Sequence, residues 1–377
     1  MTTVLNIGSK ELKGTPETRA LRFFYGDKDS PFLAPRGVHT VNGKLLVADT
    51  AQNRIFIWNS MPDGPWQTPD LILGQISHLE TGRNQGGKAS AATFQYPSGL
   101  WSDGNYLIVA DAWNHRVLIW NRFPTVNNQP ADVVLGQPDM EQNLPNVAGV
   151  GTIPSSRNLY WPYGVWSDGV HLWIADTGNR RTLFYNSIPQ KNYTAADDVI
   201  GKSSFDEKDY ETQHAVWPYS VKLSQGGVLA ITDTQSYRVL IWNNWRDAFT
   251  QPADTVIGQH DLDSCGQNQY RLAPDAGSLN WCYDTCFHGK SFYIADTGNS
   301  RILYYSTIPD NNGSNADGLF GNLSFGSIGE HLDVGKQDSE RLYWPFSISP
   351  GEEELIVADT GNHRIVFYPF NPYEPSL

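Results

Sequence analysis

The phrase LIVADAWNHRVLIWN, at Leu107–Asn121, occurs in six versions along this chain. The others are LLVADTAQNRIFIWN from Leu45, LWIADTGNRRTLFYN from Leu172, LAITDTQSYRVLIWN from Leu229, FYIADTGNSRILYYS from Phe292 and LIVADTGNHRIVFYP from Leu355. The shared aspartates, Asp49, Asp111, Asp176, Asp233, Asp296 and Asp359, are 62, 65, 57, 63 and 63 residues apart. A period of this size predicts one supersecondary unit per repeat, with neighbouring units burying faces that none could bury alone. Six units use nearly all of the 377 residues, so residues 1–377 read as a single domain.

Each unit contains four strand-like runs. The first follows an aromatic-Pro signal: YPSGLW from Tyr96, WPYGVW from Trp161, WPYSVK from Trp217, WCYDTC from Trp281 and WPFSIS from Trp344, with APRGVH from Ala34 as the first copy. The second run ends in Ala-Asp or Thr-Asp. The third starts at an arginine and alternates apolar side chains, and the fourth is a short run closing on Gly74, Gly136, Gly201, Gly258 or Gly321. The runs are rich in β-branched and aromatic residues and bounded by turn formers. Four antiparallel strands repeated radially predict an all-β fold, a six-bladed β-propeller. Long, variable segments join each fourth run to the next first run. Loops of that length are uncommon without a function, so function is expected on the face that carries them.

The last unit stops after its third run, so the ring needs a strand from the amino terminus. Val4–Gly8 matches the repeat glycine and is the favoured closing strand, with Leu21–Tyr25 as its rival. Pairing the two ends removes sheet edges that would otherwise invite aggregation.

The net charge of −13 repels phosphate backbones, and no Lys/Arg run offsets it, so a nucleic-acid partner is not expected. No stretch is long and apolar enough for a membrane-spanning helix. The amino terminus lacks a basic region followed by an apolar core. Three cysteines, an odd number without a paired framework, fit a reducing compartment, and the expected location is cytoplasmic.

The phrase Asp-Thr-Gly-Asn-x-Arg, complete at Asp176–Arg181, Asp296–Arg301 and Asp359–Arg364, closely resembles the NHL repeat. The copies at Asp49, Asp111 and Asp233 keep Arg54, Arg116 and Arg238 but change the turn between. The resemblance implies a six-bladed propeller and leaves function open, because such folds host lyases, hydrolases, RNA binders and protein-binding platforms. Recurrence argues against catalysis by these residues. Each Asp and Arg face each other across a tight turn, where a bidentate pair would fix it. His115 and His363, each just before its arginine, match the repeat as well and are not read as metal ligands. Trp161, Trp217, Trp281 and Trp344 recur regularly and are expected to pack between blades.

Departures from the repeat are the better functional candidates, since the fold does not demand them. Aligned first strands give a column of Arg36, Ser98, Tyr163, Tyr219, Tyr283 and Phe346, expected to ring the channel mouth. Such residues either plug the mouth or, with Arg36, Tyr163, Tyr219 and Tyr283 joined by Lys222, bind a ligand. The deeper column reads His39, Trp101, Trp166, Lys222, Cys286 and Ser349, and Asp284 lies one position below the mouth. Cys265, Cys282 and Cys286 all fall near the start of the fifth blade. Three readings remain: inert buried thiols, a transition metal or metal cluster at that entrance, and a redox or nucleophilic thiol. His39 and Asp284 are the remaining candidate metal ligands.

Two functions follow. The first is a platform that presents its loop-covered face and channel mouth to a protein partner, with a bound cofactor or small molecule as a further occupant. The second is a metal-dependent lyase or hydrolase with its site in the channel, as in the peptide-amidating lyases and lactonases that propellers of this kind resemble. RNA binding, known for some NHL domains, conflicts with the acidic balance.

Overall fold

The computed structural model describes residues 19–207, 217–327 and 340–373. It contains six four-stranded antiparallel sheets, and the only helical segments among the described residues are short 3₁₀ turns. The first strands, Gly37–Val41, Pro97–Ser102, Pro162–Ser167, Pro218–Leu223, Cys282–His288 and Pro345–Pro350, surround a central channel, each packed on the first strands of both neighbouring blades. The chain is therefore a six-bladed β-propeller.

The glycines at the top of these strands reflect how closely the backbones meet. A Cβ on Gly164 would lie 2.3 Å from the Tyr219 carbonyl oxygen, and one on Gly99 would lie 2.6 Å from that of Tyr163. Five first strands begin with a register shift beside the mouth residue, a bulge that re-aims the side chains below it.

Apolar alternation builds the core between blades rather than within one. Each of six buried clusters joins two consecutive blades. Leu46 and Ile57 of the first, for example, pack with Leu107 and Trp120 of the second.

The ring closes through Arg22–Phe24, which pairs antiparallel with Arg364–Pro369 in the register Arg22↔Phe367, Phe23↔Val366, Phe24↔Ile365. The closing strand thus comes from the amino-terminal side, as expected, but from the rival segment. Val4–Gly8 lies outside the described residues. The match to the repeat glycine misled because the pairing is fixed by the side chains that the closing strand buries. Phe24 is fully buried against Trp58 and Phe32, and Arg22 donates to Glu354 on the second strand of the same blade.

The threonine that follows the repeat aspartate staples neighbouring blades. Its hydroxyl donates to a carbonyl at or just before the start of the next first strand: Thr50 to Pro97, Thr177 to Pro218, Thr234 to Cys282, Thr297 to Pro345 and Thr360 to Pro35. The last of these crosses the seam of the ring. Thr360→Val keeps the shape and removes the donor, so it is expected to cost about 1–2 kcal/mol in denaturant unfolding. An unchanged midpoint would show that the seam staple contributes nothing.

Candidate functional site

The six-fold Asp–Arg pair does more than fix a turn. Every pair is buried, and the arginine Nε donates to one carboxylate oxygen at 2.7–2.9 Å. The other oxygen accepts a backbone N–H sixteen residues upstream, as from Tyr160 to Asp176 and Tyr343 to Asp359. The bidentate pairing predicted from the turn is therefore corrected. The carboxylate divides itself between guanidinium and backbone, and the arginine's terminal nitrogens reach the loops, although Arg54 Nη2 also stays 2.8 Å from Asp49. Burial raises Asp49 to about 6, against the opposing pull of Arg54.

Those nitrogens hold the long loops at both ends. One donates to the carbonyl of the residue 24 positions downstream: His78, Met140, Phe205, Leu262 and Phe325 for the first five arginines. In three blades the other donates 26 and 23 positions upstream, to Ser90 and Thr93, Ser155 and Asn158, and Asp275 and Ser278. Variation in repeat length is thereby confined to segments between two fixed carbonyl clamps.

On this loop-bearing face the six mouth residues stand together. Tyr163 and Tyr219 stack with centroids 4.5 Å apart, Tyr219 meets Tyr283 edge-on at 4.5 Å, and Tyr283 lies 4.2 Å from Phe346. The Arg36 guanidinium sits 4.0 Å from the Phe346 ring centroid and 5.0 Å from that of Tyr96. Burial pushes the Tyr163 and Tyr219 hydroxyls up and Tyr283 to about 12, so all three remain protonated donors at neutral pH. Ring-to-ring contact leaves no slot between them. The residues line the upper part of a cavity of about 40 Å³.

Asp284 is gripped inside that chamber. It accepts from Ser220 Oγ at 2.6 Å and Ser347 Oγ at 2.9 Å, and Lys222 Nζ is 3.4 Å away. Lys222 also lies 4.9 Å from the Trp166 ring centroid. The carboxylate thus has a resident cation and two hydroxyl donors.

The remaining metal candidates are not brought to it. His39 is buried with Nε2 3.1 Å from the Ser102 amide nitrogen, and burial lowers it to about 4. Nor do the cysteines converge. Cys282 belongs to the core between the fourth and fifth blades, its Sγ 3.2 Å from the Arg238 carbonyl, and Cys286 belongs to the core between the fifth and sixth. Cys265 is exposed beside Tyr270. Burial pushes Cys282 and Cys286 well above the usual thiol range, which opposes thiolate formation. Nearness along the chain failed as a guide because Cys282 and Cys286 face different inter-blade cores. Among the described residues no group of three or more His, Cys, Asp or Glu is arranged to hold a metal ion.

The tryptophans before the mouth column require a second correction. Trp281 and Trp344 are 45% and 41% exposed, and Trp161 and Trp217 are half-buried, so they do not fill inter-blade cores. Tyr96, Trp161, Trp281 and Trp344 have φ of 47–59°, a left-handed backbone that bulky residues rarely adopt. It turns their rings onto the mouth face. The backbone is pinned from the preceding blade: His115 Nδ1 accepts from the Trp161 N–H at 3.1 Å, Asn53 Oδ1 from Tyr96 and His363 Nδ1 from Ala34. Trp113, which the sequence did not flag, stacks on Tyr96 and donates to the Tyr163 hydroxyl.

No protein-family model matches this chain, and no curated protein matches it. Among solved structures, a WD40 β-propeller domain of Doa1 is similar with a TM-score of 0.48 and 8% identity, over 94% of this chain and 97% of that one. A putative 6-phosphogluconolactonase from Bacteroides fragilis is similar with a TM-score of 0.47 and 12% identity, over 87% and 78%. No helix among the described residues is long and apolar enough to cross a membrane.

Proposed function

We propose that the chain is an NHL-type propeller acting as a binding platform, with its loop-bearing face as the surface that meets a protein partner. The observation that supports this is where apolar side chains are left in solvent. Among the described residues, Leu33, Ile76, Leu79, Trp113, Leu144, Val150, Ile153, Tyr270, Leu272, Trp281, Leu323 and Trp344 are exposed on that face, against Leu21, Trp66, Val126, Val170 and Tyr373 elsewhere. Concentrations of this kind mark interaction surfaces. Several sit in the variable-length segments between the carbonyl clamps. The indoles are not demanded by the fold, since the equivalent Ala34 takes the same left-handed backbone at φ 50°. Catalysis by a channel metal is disfavoured because Asp284 is already satisfied by Lys222, Ser220 and Ser347. A protein partner fits the acidic balance better than a nucleic acid does.

The test is photo-crosslinking in cells from p-benzoylphenylalanine placed at Trp344, Tyr270, Val126 or Val170. Discrete protein adducts are expected from the first two positions alone. Adducts of equal yield from both faces, or from the opposite face only, would refute the platform.

A further inference from the structure

At the channel mouth, among the exposed indoles, sits a cation with no counter-charge among the described residues. Arg36 makes no ion pair and no side-chain hydrogen bond among the described residues, although the chain carries a net charge of −13. Its guanidinium lies over the Phe346 ring at 4.0 Å and the Tyr96 ring at 5.0 Å, with Nε buried and unpartnered among the described residues. Beside it in the ring, Ser98 is 5% exposed, and its Oγ is likewise buried without a partner. Buried donors left unmade cost free energy, and a ligand that supplies acceptors recovers it. A planar guanidinium fork with a neighbouring hydroxyl matches a carboxylate.

Building on the platform reading, we infer that the channel mouth docks a carboxylate of a partner protein, a Glu or Asp side chain or a chain terminus, at Arg36 and Ser98, with apolar or proline flanks lying on the indole collar. The carboxylate belongs to a protein rather than to a free organic acid because the chamber beneath is about 40 Å³. Pockets that enclose small ligands are typically about 300–1,000 Å³. An occupant of the mouth must lie across the surface, and Trp281 and Trp344 offer rings on which to lie.

Two degenerate pools of immobilised decapeptides, rich in proline and apolar residues, one with a fixed central Glu and the other with Gln, supply the probe for surface plasmon resonance. The wild-type chain is expected to bind the Glu pool about tenfold or more tightly than the Gln pool. That preference should vanish in Arg36→Gln and shrink in Ser98→Ala. Arg36→Lys, which keeps the charge but loses the fork, should retain part of it. Thermal midpoints confirm that each variant is folded, and Ser98→Ala carries the test if Arg36→Gln is not.

Equal binding of the two pools, no binding of the Glu pool, or a preference unchanged in Arg36→Gln would overturn the inference. Displacement of the Glu pool by submillimolar glutarate would overturn the assignment to a protein. The platform reading is separated by Trp281→Ser and Trp344→Ser. If these release both pools while Glu and Gln bind equally, the carboxylate site falls and the platform stands. If they release neither, the platform falls as well.

Discussion

Phe24→Ala is expected to lower stability by about 3–5 kcal/mol, the range for removing a fully buried aromatic side chain. Phe24 is wholly inaccessible to solvent. Its ring meets Trp58 edge-on at 4.9 Å and Phe32 at 5.6 Å, in the core shared by the sixth and first blades. The residue is also the last of the closing strand, Arg22–Phe24. Losing its packing therefore frees the edge of Arg364–Pro369, whose unpaired N–H and C=O groups invite self-association. Phe23, half-buried against Arg364, should cost distinctly less when replaced by alanine. Urea unfolding followed by tryptophan fluorescence, with sedimentation to detect oligomers, gives both quantities. A loss below about 1 kcal/mol for Phe24→Ala would mean that this strand does not hold the ring.

Acid should weaken the joint between the second and third blades. His115 is buried and accepts the Trp161 N–H through Nδ1, so the joint needs that nitrogen unprotonated. Burial lowers its pKa from 6.5 to about 4. Between those values the unfolded chain binds more protons than the folded one. The contribution is thus fully present above pH 6.5 and is lost as the pH falls from 6.5 through 4. By pH 4.5 this amounts to about 2 kcal/mol. His39, lowered likewise to about 4, adds in the same direction. Asp49, raised from 3.8 to about 6, works the opposite way, stabilising the fold as the pH falls through that window. The difference between variants isolates the histidine. His115→Asn copies the first blade, where Asn53 makes the corresponding bond to Tyr96 at 3.0 Å. It should match the wild type at pH 7.5 and exceed it by about 2 kcal/mol at pH 4.5. Parallel stability curves would refute the assignment.

The repeat made the strands legible because each is bounded by turn chemistry visible in one dimension. The fourth strands were read to within a residue, with Val133–Leu135 and Thr255–Ile257 each ending just before its glycine. The mouth ring was legible for the same reason, since one position per repeat must face the axis. Three things were not. The closing strand has no repeat partner to align with, and the burial of Phe24 depends on rings contributed from residues 32 and 58. The indoles were misread because regular recurrence suggests packing, whereas a positive φ at Trp161, Trp281 and Trp344 sends the side chains outward. The isolation of Arg36 among the described residues could be recognised only from the structure, where Asp284, the carboxylate of the same cavity, is paired with Lys222.

The arginine clamps have a consequence for how such a surface can change over time. Each guanidinium grips main-chain carbonyls, of His78, Met140, Phe205, Leu262 and Phe325 on one side and of Ser90, Ser155 and Asp275 on the other. A carbonyl is common to every amino acid, so the clamp places no demand on the side chains it holds. Loop tips can lengthen, shorten or be rewritten wholesale while both of their ends stay in register with the sheet. The scaffold is in this sense indifferent to what it displays, and a lineage could exchange one partner for another by editing the tips alone, with the cores between its blades left untouched.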